Sequence, residues 1–364
     1  MDVSGVWCGP RPRPERCQEH SRGGALRETK RLRRDGQSSR VSGEHDSVKQ
    51  EPAKTPRSGV VGIPVVYGRE DVKSSVRLLI SGLAVDITGE HGTVAAVRAV
   101  DLDVGAGCVH AVIGESGSGK STVLRAISGA LPPTAHARGR IELSGGGVPG
   151  GHADILGPAR RRRSMLPPTP TLAGRVIGVI PQSAATALTP VRTFGAQLTE
   201  TCAALGHRRD VGELITAVGL RSGDAGLYPH EMSGGMAQRA AFALALAGDP
   251  PLLLADEPTS ALDPVLTAHL LAILRDHADA GGTVLLVTHD IEELESTRIA
   301  EEVSVMRHGR IVETGTATQV LRSPAHAYTR LLLAALPSRG LHAPATLHDP
   351  GALHDPGDTD GTVR

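Results

Sequence analysis

The chain has 364 residues, enough for one large α/β domain or two ordinary ones. Phe, Tyr and Trp make up only 2% of it, so any core must be built mostly from Ala, Val, Leu and Ile. Lys plus Arg and Asp plus Glu both number 39, which argues neither for nor against nucleic acid, and no apolar run nears the ~20 residues that a bilayer crossing needs.

In chain order, residues 1–75 are rich in Arg, Pro, Ser and Gly and lack apolar periodicity. They read as a disordered, mildly basic extension. A passive tail, or upstream sequence from an early start codon, is preferred over contact with lipid headgroups or nucleic acid. The N-terminus has no apolar h-region of a secretory signal. Between the two ends, 78–337 alternates apolar runs with helical patterns. Its first clear element is CVHAVI (108–113), a buried strand running into GESGSGKS, with a helix following over Lys120–Ser128. The stretch 145–175, with GGGVPGG and the run Arg160–Arg163, reads as an inserted, solvated surface loop.

Helical patterns between breakers over about 185–240 predict a separate α-helical lobe. LLLAD (252–256) and TVLLVTH (283–289) are further buried strands ending in polar residues. Strands separated by helices imply a mainly parallel sheet whose ligands bind at the strands' carboxyl ends. Residues 338–364 carry the repeat LHDPGALHDPGD and read as a disordered tail, in which His342, His348 and His354 with Asp349 and Asp355 offer at most weak metal binding. The four cysteines, Cys8, Cys17, Cys108 and Cys202, have no metal spacing and fit a reduced cytoplasmic compartment.

The chemistry sits in a few short strings. Gly114-Glu115-Ser116-Gly117-Ser118-Gly119-Lys120-Ser121 matches GxxxxGK[ST], with Thr122 continuing the helix. Its glycines let backbone N–H groups turn inward around phosphate oxygens at a helix N-terminus. Lys120 would reach the β- and γ-phosphates of ATP, and the Ser121 hydroxyl would ligate Mg²⁺. Asp256, at a strand tip, would hold the metal's hydration shell. Glu257, one residue on, is placed to act as general base on the attacking water. His289 ends the next strand and could sense the γ-phosphate, while the Gln182 amide, after VIP, could contact Mg²⁺ or water. A second Ser-Gly-Gly, Ser233-Gly234-Gly235, opens a helix between Met232 and Met236.

Taken together, these strings resemble the ATP-binding cassette (ABC) family over about 260 residues. GESGSGKS looks like its Walker A, Gln182 its Q-loop, MSGGM its signature, LLLADE its Walker B, SALD (260–263) its D-loop and His289 its switch histidine. The resemblance implies a P-loop NTPase fold: α/β, with a mainly parallel core sheet, a small antiparallel β subdomain and an α-helical signature lobe. It also implies head-to-tail pairing with a second cassette, identical or paralogous. Ser233, Gly234, Gly235 and Asp263 would then serve nucleotide shared with that partner.

YPHEMSGGMAQR, THDIEELE, VMRHGRIVETG and SPAHAYTRLLLAALP are similar to the dipeptide/oligopeptide/nickel branch of importers. ETCAALG (200–206), and the lack of a cysteine-rich C-terminus, lean toward nickel. The implied assembly has two transmembrane permease subunits, an extracytoplasmic substrate-binding protein acting indirectly, and no nucleic acid, with the chain peripheral on the cytoplasmic face of the membrane. An exporter ATPase, a soluble non-transport ABC ATPase and a non-hydrolysing binder are the alternatives.

The chain departs from the family in three places. Ile87 and His91 stand where cassettes usually place an aromatic to stack on adenine. Ser-Ala follows Gln182, and Ala237 follows the signature, where this branch often has Arg.

Overall fold

In the computed structural model, residues 75–90, 92–157, 172–184, 187–206, 208–260 and 262–339 are described. Both disordered-tail expectations, and Arg160–Arg163, lie outside them.

The central sheet follows from five short apolar runs. β3 (Val109–Ile113), β6 (Ile177–Ile180), β7 (Leu252–Asp256) and β8 (Thr283–Val287) pair in parallel with β9 (Glu302–Arg307), and β10 (Arg310–Thr316) closes the edge antiparallel. The spatial order is β10-β9-β3-β8-β7-β6. Alternate residues of one strand enter different cores. Leu253 and Ala255 of β7 face one cluster, and Leu252 and Leu254 face the other. A sheet covered on both faces needs continuous apolar strands, which is why these runs show no polar alternation.

The second layer is a four-stranded antiparallel sheet of order β2-β1-β4-β5, made by β1 (Val76–Gly89), β2 (Gly92–Val104), β4 (Ala135–Gly145) and β5 (His152–Asp154). Its apolar side packs with α1 (Lys120–Ser128) on one face of the central sheet. This sheet corrects part of the expected surface loop. β5 pairs back on β4, Glu142 opposite Asp154, so GGGVPGG lies in a hairpin connection within the layer. Strand alternation over 152–154 is too short to stand out from the glycines around it.

The helices cover the other face. α2 (Phe194–Leu205), α3 (Val211–Ala217) and α4 (Gly234–Leu246) form the lobe after β6, and α5 (Pro264–Asp279), α6 (Ile291–Thr297), α7 (Ala317–Arg322) and α8 (Ala327–Ala334) follow. Side-chain caps start most of them: Asp210 accepts from Glu213 N, Ser233 from Met236 N, Asp290 from Glu293 N and Thr316 from Gln319 N. Both phenylalanines, Phe194 and Phe242, lie fully buried under this lobe with Tyr328 of α8. Among the described residues no helix is long and apolar enough to cross a membrane.

Candidate active site

Every residue of β3 is buried, and the strand delivers Gly114 to the sheet's carboxyl edge. Two glycines there are dictated by space. A Cβ on Gly114 (φ 149°) would meet Met306 O at 2.1 Å, and one on Gly119 (φ 107°) would meet Ala96 O at 2.4 Å. No side chain fits at either position. The loop between them turns back on itself, Ser118 N–H donating to Glu115 O at 3.2 Å, and α1 begins immediately afterwards. Ser118 Oγ is buried and has no hydrogen-bond partner among the described residues. An acceptor-rich phosphate is the kind of group that such an orphaned hydroxyl, a cradle without Cβ atoms and a helix N-terminus would take together.

Lys120 is buried, and its Nζ donates to Gly114 O and Glu115 O, both at 2.8 Å. Burial lowers its pKa, and the carboxylates of Glu257, Asp256 and Glu115 oppose that shift. Ser121 Oγ donates to Asp256 Oδ1 at 2.9 Å, so the loop and the tip of β7 already meet. Burial raises the Asp256 pKa, the Ser121 hydroxyl opposes it, and Glu257 nearby adds to it. A hydroxyl beside a carboxylate is a hard oxygen donor pair that fits Mg²⁺.

Glu257 leaves β7 in a left-handed conformation (φ 44°), with its N–H held by Val287 O at 2.8 Å. A non-glycine residue pays about 1–3 kcal/mol for such a backbone. The turn swings the carboxylate out of the sheet plane. Its Oε2 accepts from Gln182 Nε2 at 2.6 Å, and its Oε1 lies 3.1 Å from His289 Nδ1. The ends of β6, β7 and β8 thus converge on one carboxylate.

Ser116, Gly117, Gly119, Lys120, Ser121 and Thr122 share with Gln182, Glu257 and His289 the wall of one cavity of about 590 Å³. The other sequence-picked residues lie elsewhere. Ser233 caps α4, with Gly234 and Gly235 as its first helical residues, and Asp263 caps α5 by accepting from Val265 N and Leu266 N at 3.1 and 3.0 Å. None of the four lines the cavity within this chain. Met232 and Met236 are partly buried and pack on the helical-side core, so their work is apolar filling.

Sequence reasoning missed six of the fifteen residues that line the cavity. Val94, Ala95, Ala96 and Arg98 of β2 line it, together with His308 and Gly309 from the β9–β10 turn. No Phe, Tyr or Trp is among the described lining residues. Ile87 instead packs against the core between the sheets, and His91 is outside the described residues. The turn is laced to the phosphate loop, since Gly309 N–H donates to Ser118 O at 2.9 Å and Gly309 O accepts from Arg98 N–H at 2.7 Å. The HGR in VMRHGRIVETG was the available signal.

The family described as ABC transporter matches residues 97–260. The oligopeptide transport ATP-binding protein OppD of Bacillus subtilis (strain 168) is 34% identical over 274 residues, covering 72% of this chain and 72% of its own length. The peptidoglycan transport ATP-binding protein YejF of Agrobacterium fabrum is 39% identical over 272 residues, covering 71% of this chain. This chain spans about half of that relative's length, 47%. A solved dimeric ATP-binding cassette in a post-hydrolysis state, bound to ADP and Pi, superposes with a TM-score of 0.53 at 25% identity, covering 66% of this chain and 98% of its own.

Proposed function

Because this chain belongs to the ABC transporter family, we propose that it is the ATP-hydrolysing subunit that energises an importer of peptides. The observation that carries hydrolysis is the Glu257 carboxylate, held between Gln182 and His289 on the wall of the cavity that also takes in Lys120. Backbone N–H groups of the glycine loop and the Lys120 ammonium bind the phosphates. Ser121, Asp256 and Gln182 would hold magnesium, which would neutralise charge on those oxygens. Glu257 takes a proton from the water that attacks the γ-phosphorus. The bond to the bridging oxygen breaks, and ADP carries the electron pair away. Gln182 and His289 hold the carboxylate in the orientation that this proton transfer needs.

The capped α4 N-terminus, Ser233–Gly235, and Asp263 would complete the site of a second cassette, since among the described residues they do not line this chain's own cavity. Head-to-tail pairing, two permease subunits touching the Gln182 segment and the helical lobe, an external substrate-binding protein and a peripheral place on the cytoplasmic face complete the proposal. Peptide cargo is favoured over nickel by the relatives' names. The ETCAALG string that leaned toward nickel has a packing explanation: Cys202 is fully buried in the lobe core, and Gly206 is the left-handed C-cap of α2 (φ 91°).

Two measurements test this reading. The full chain at concentrations that allow pairing should release phosphate from MgATP, and bound nucleotide without turnover would refute the hydrolytic role. A strain lacking the chain should lose uptake of labelled oligopeptide while nickel uptake persists; the reverse pattern would move the cargo to nickel.

A further inference from the structure

The SPAHAYT stretch served above only as a mark of relatedness, yet the fold gives it a mechanical job at the phosphate loop. Tyr328 lies in the first turn of α8 and is 2% exposed. Its hydroxyl accepts the Glu115 N–H at 3.4 Å, across 213 residues of sequence. Arg307 lays its guanidinium over the ring, 4.8 Å from the centroid. Arg307 immediately precedes the His308–Gly309 turn whose N–H holds Ser118 O at 2.9 Å. The second and fifth residues of the loop after β3, Glu115 and Ser118, are therefore both anchored from the C-terminal quarter of the chain.

The residues before Tyr328 form a bracket that aims it. The Glu313 carboxylate accepts N–H groups from Ala325 and His326 at 2.7 and 3.2 Å. His326 Nδ1 accepts the Tyr328 N–H at 3.1 Å as the cap of α8. Arg330 Nη1 donates to Ala325 O at 2.7 Å and Pro324 O at 3.3 Å. A hydrophobic plug alone would need none of these contacts. Burial pushes the tyrosine's pKa up to about 12, so the hydroxyl stays neutral at physiological pH and leaves the loop's electrostatics to Lys120.

From this geometry we infer that Tyr328 is a positioning residue for nucleotide binding, its hydroxyl fixing the Glu115 peptide so that the following loop N–H groups are preset for phosphate. The inference rests on the ATPase reading above. The Gly114 carbonyl, in the same peptide unit as the Glu115 N–H, also holds Lys120 Nζ at 2.8 Å, so one peptide unit carries the tyrosine on one side and the phosphate-binding lysine on the other. Removing the hydroxyl loosens that unit while leaving the ring packed under Arg307.

The test is isothermal titration of the full-length chain with MgATP, alongside thermal melting and steady-state hydrolysis, comparing wild type with Tyr328→Phe. We expect an affinity loss of about threefold, the scale of one long neutral hydrogen bond. KM should rise in step while kcat and the melting temperature hold. Unchanged affinity in a folded Tyr328→Phe overturns the inference, as does a melting shift with affinity intact, because both describe packing only. If Tyr328→Phe does not fold, Arg307→Met decides, with an expected affinity loss of about twofold and no change overturning the inference. Wild type that binds no MgATP removes the ATPase reading and this inference together, an outcome distinct from a wild type that binds and a variant that binds equally.

Discussion

Gln182 and Glu257 are 75 residues apart in sequence, yet the amide of one donates to the carboxylate of the other at 2.6 Å. The contact ties the end of β6 to the turn after β7. A side chain at the mouth of the helical lobe thereby sets the orientation of the proposed general base. Withdrawing Gln182 would free one oxygen of Glu257.

Glu257→Gln should retain MgATP affinity and lose about 10²- to 10⁴-fold in turnover, since an amide keeps the shape and the Gln182 neighbour but takes no proton. Phosphate release in a coupled assay checks this. Turnover within a few fold of wild type would remove Glu257 as the base.

Gln182→Ala and His289→Ala should each lower kcat by about tenfold, and the double variant should fall by less than the product of the two. Both anchors serve one carboxylate, and residues acting on a shared group are not additive. A double-mutant cycle on kcat provides the measurement, and strictly multiplicative losses would show that the two act independently.

The cavity wall formed by Val94, Ala95 and Ala96 offers no ring for stacking on a base, and Val94 is 66% exposed. ATP and GTP should therefore compete within about threefold of each other. Val94→Tyr should tighten ATP at least about fivefold, given that base–aromatic stacking contributes roughly 1–3 kcal/mol per base. A strong native preference for ATP in competition binding would place the base against another surface.

The parts of the site that were legible in the sequence are those written locally. A buried strand, a glycine loop and a helix start are adjacent in the chain, and so are Asp256 and Glu257 after their strand. Helix caps such as Ser233 announce themselves within three residues. What stayed hidden depends on contacts across the fold. His308 and Gly309 reach the phosphate loop through β9 lying beside β3, a neighbour relationship that no short string encodes. Val94, Ala95, Ala96 and Arg98 join the wall because the antiparallel layer packs with α1, an arrangement that buries Val97 between them. The same limit hid that Ile87 packs against the core between the sheets, since the burial of a strand residue depends on register with β2 and β4.

Gly119→Ala tests the crowding directly. The added Cβ would sit 2.4 Å from Ala96 O and 2.9 Å from the Met306 methyl, at a φ of 107°. The methyl group can shift, but the backbone carbonyl cannot. The variant should lose about 2 kcal/mol of stability or more and most of its nucleotide affinity. A melting curve that superposes on wild type would show that the loop relaxes around the side chain.

A last prediction concerns acid. His110 of β3 is fully buried, with Nδ1 3.1 Å from Glu302 Oε2 and Nε2 2.9 Å from Ser304 Oγ. Burial lowers its pKa from the ordinary 6.5, and the half-exposed Glu302, screened by solvent, only partly offsets that. The native chain therefore refuses a proton that the unfolded chain accepts once the pH falls below about 6.5. The corresponding stability is complete above that pH and is lost as the pH drops toward the native value. His110→Gln, which does not titrate, should melt at a temperature that falls less between pH 7 and pH 5 than wild type does, by roughly 2–4 °C for each kcal/mol removed. The difference between the two melting curves reports this histidine together with its contact to Glu302. Parallel curves would mean that its protonation is the same in the folded and unfolded chain.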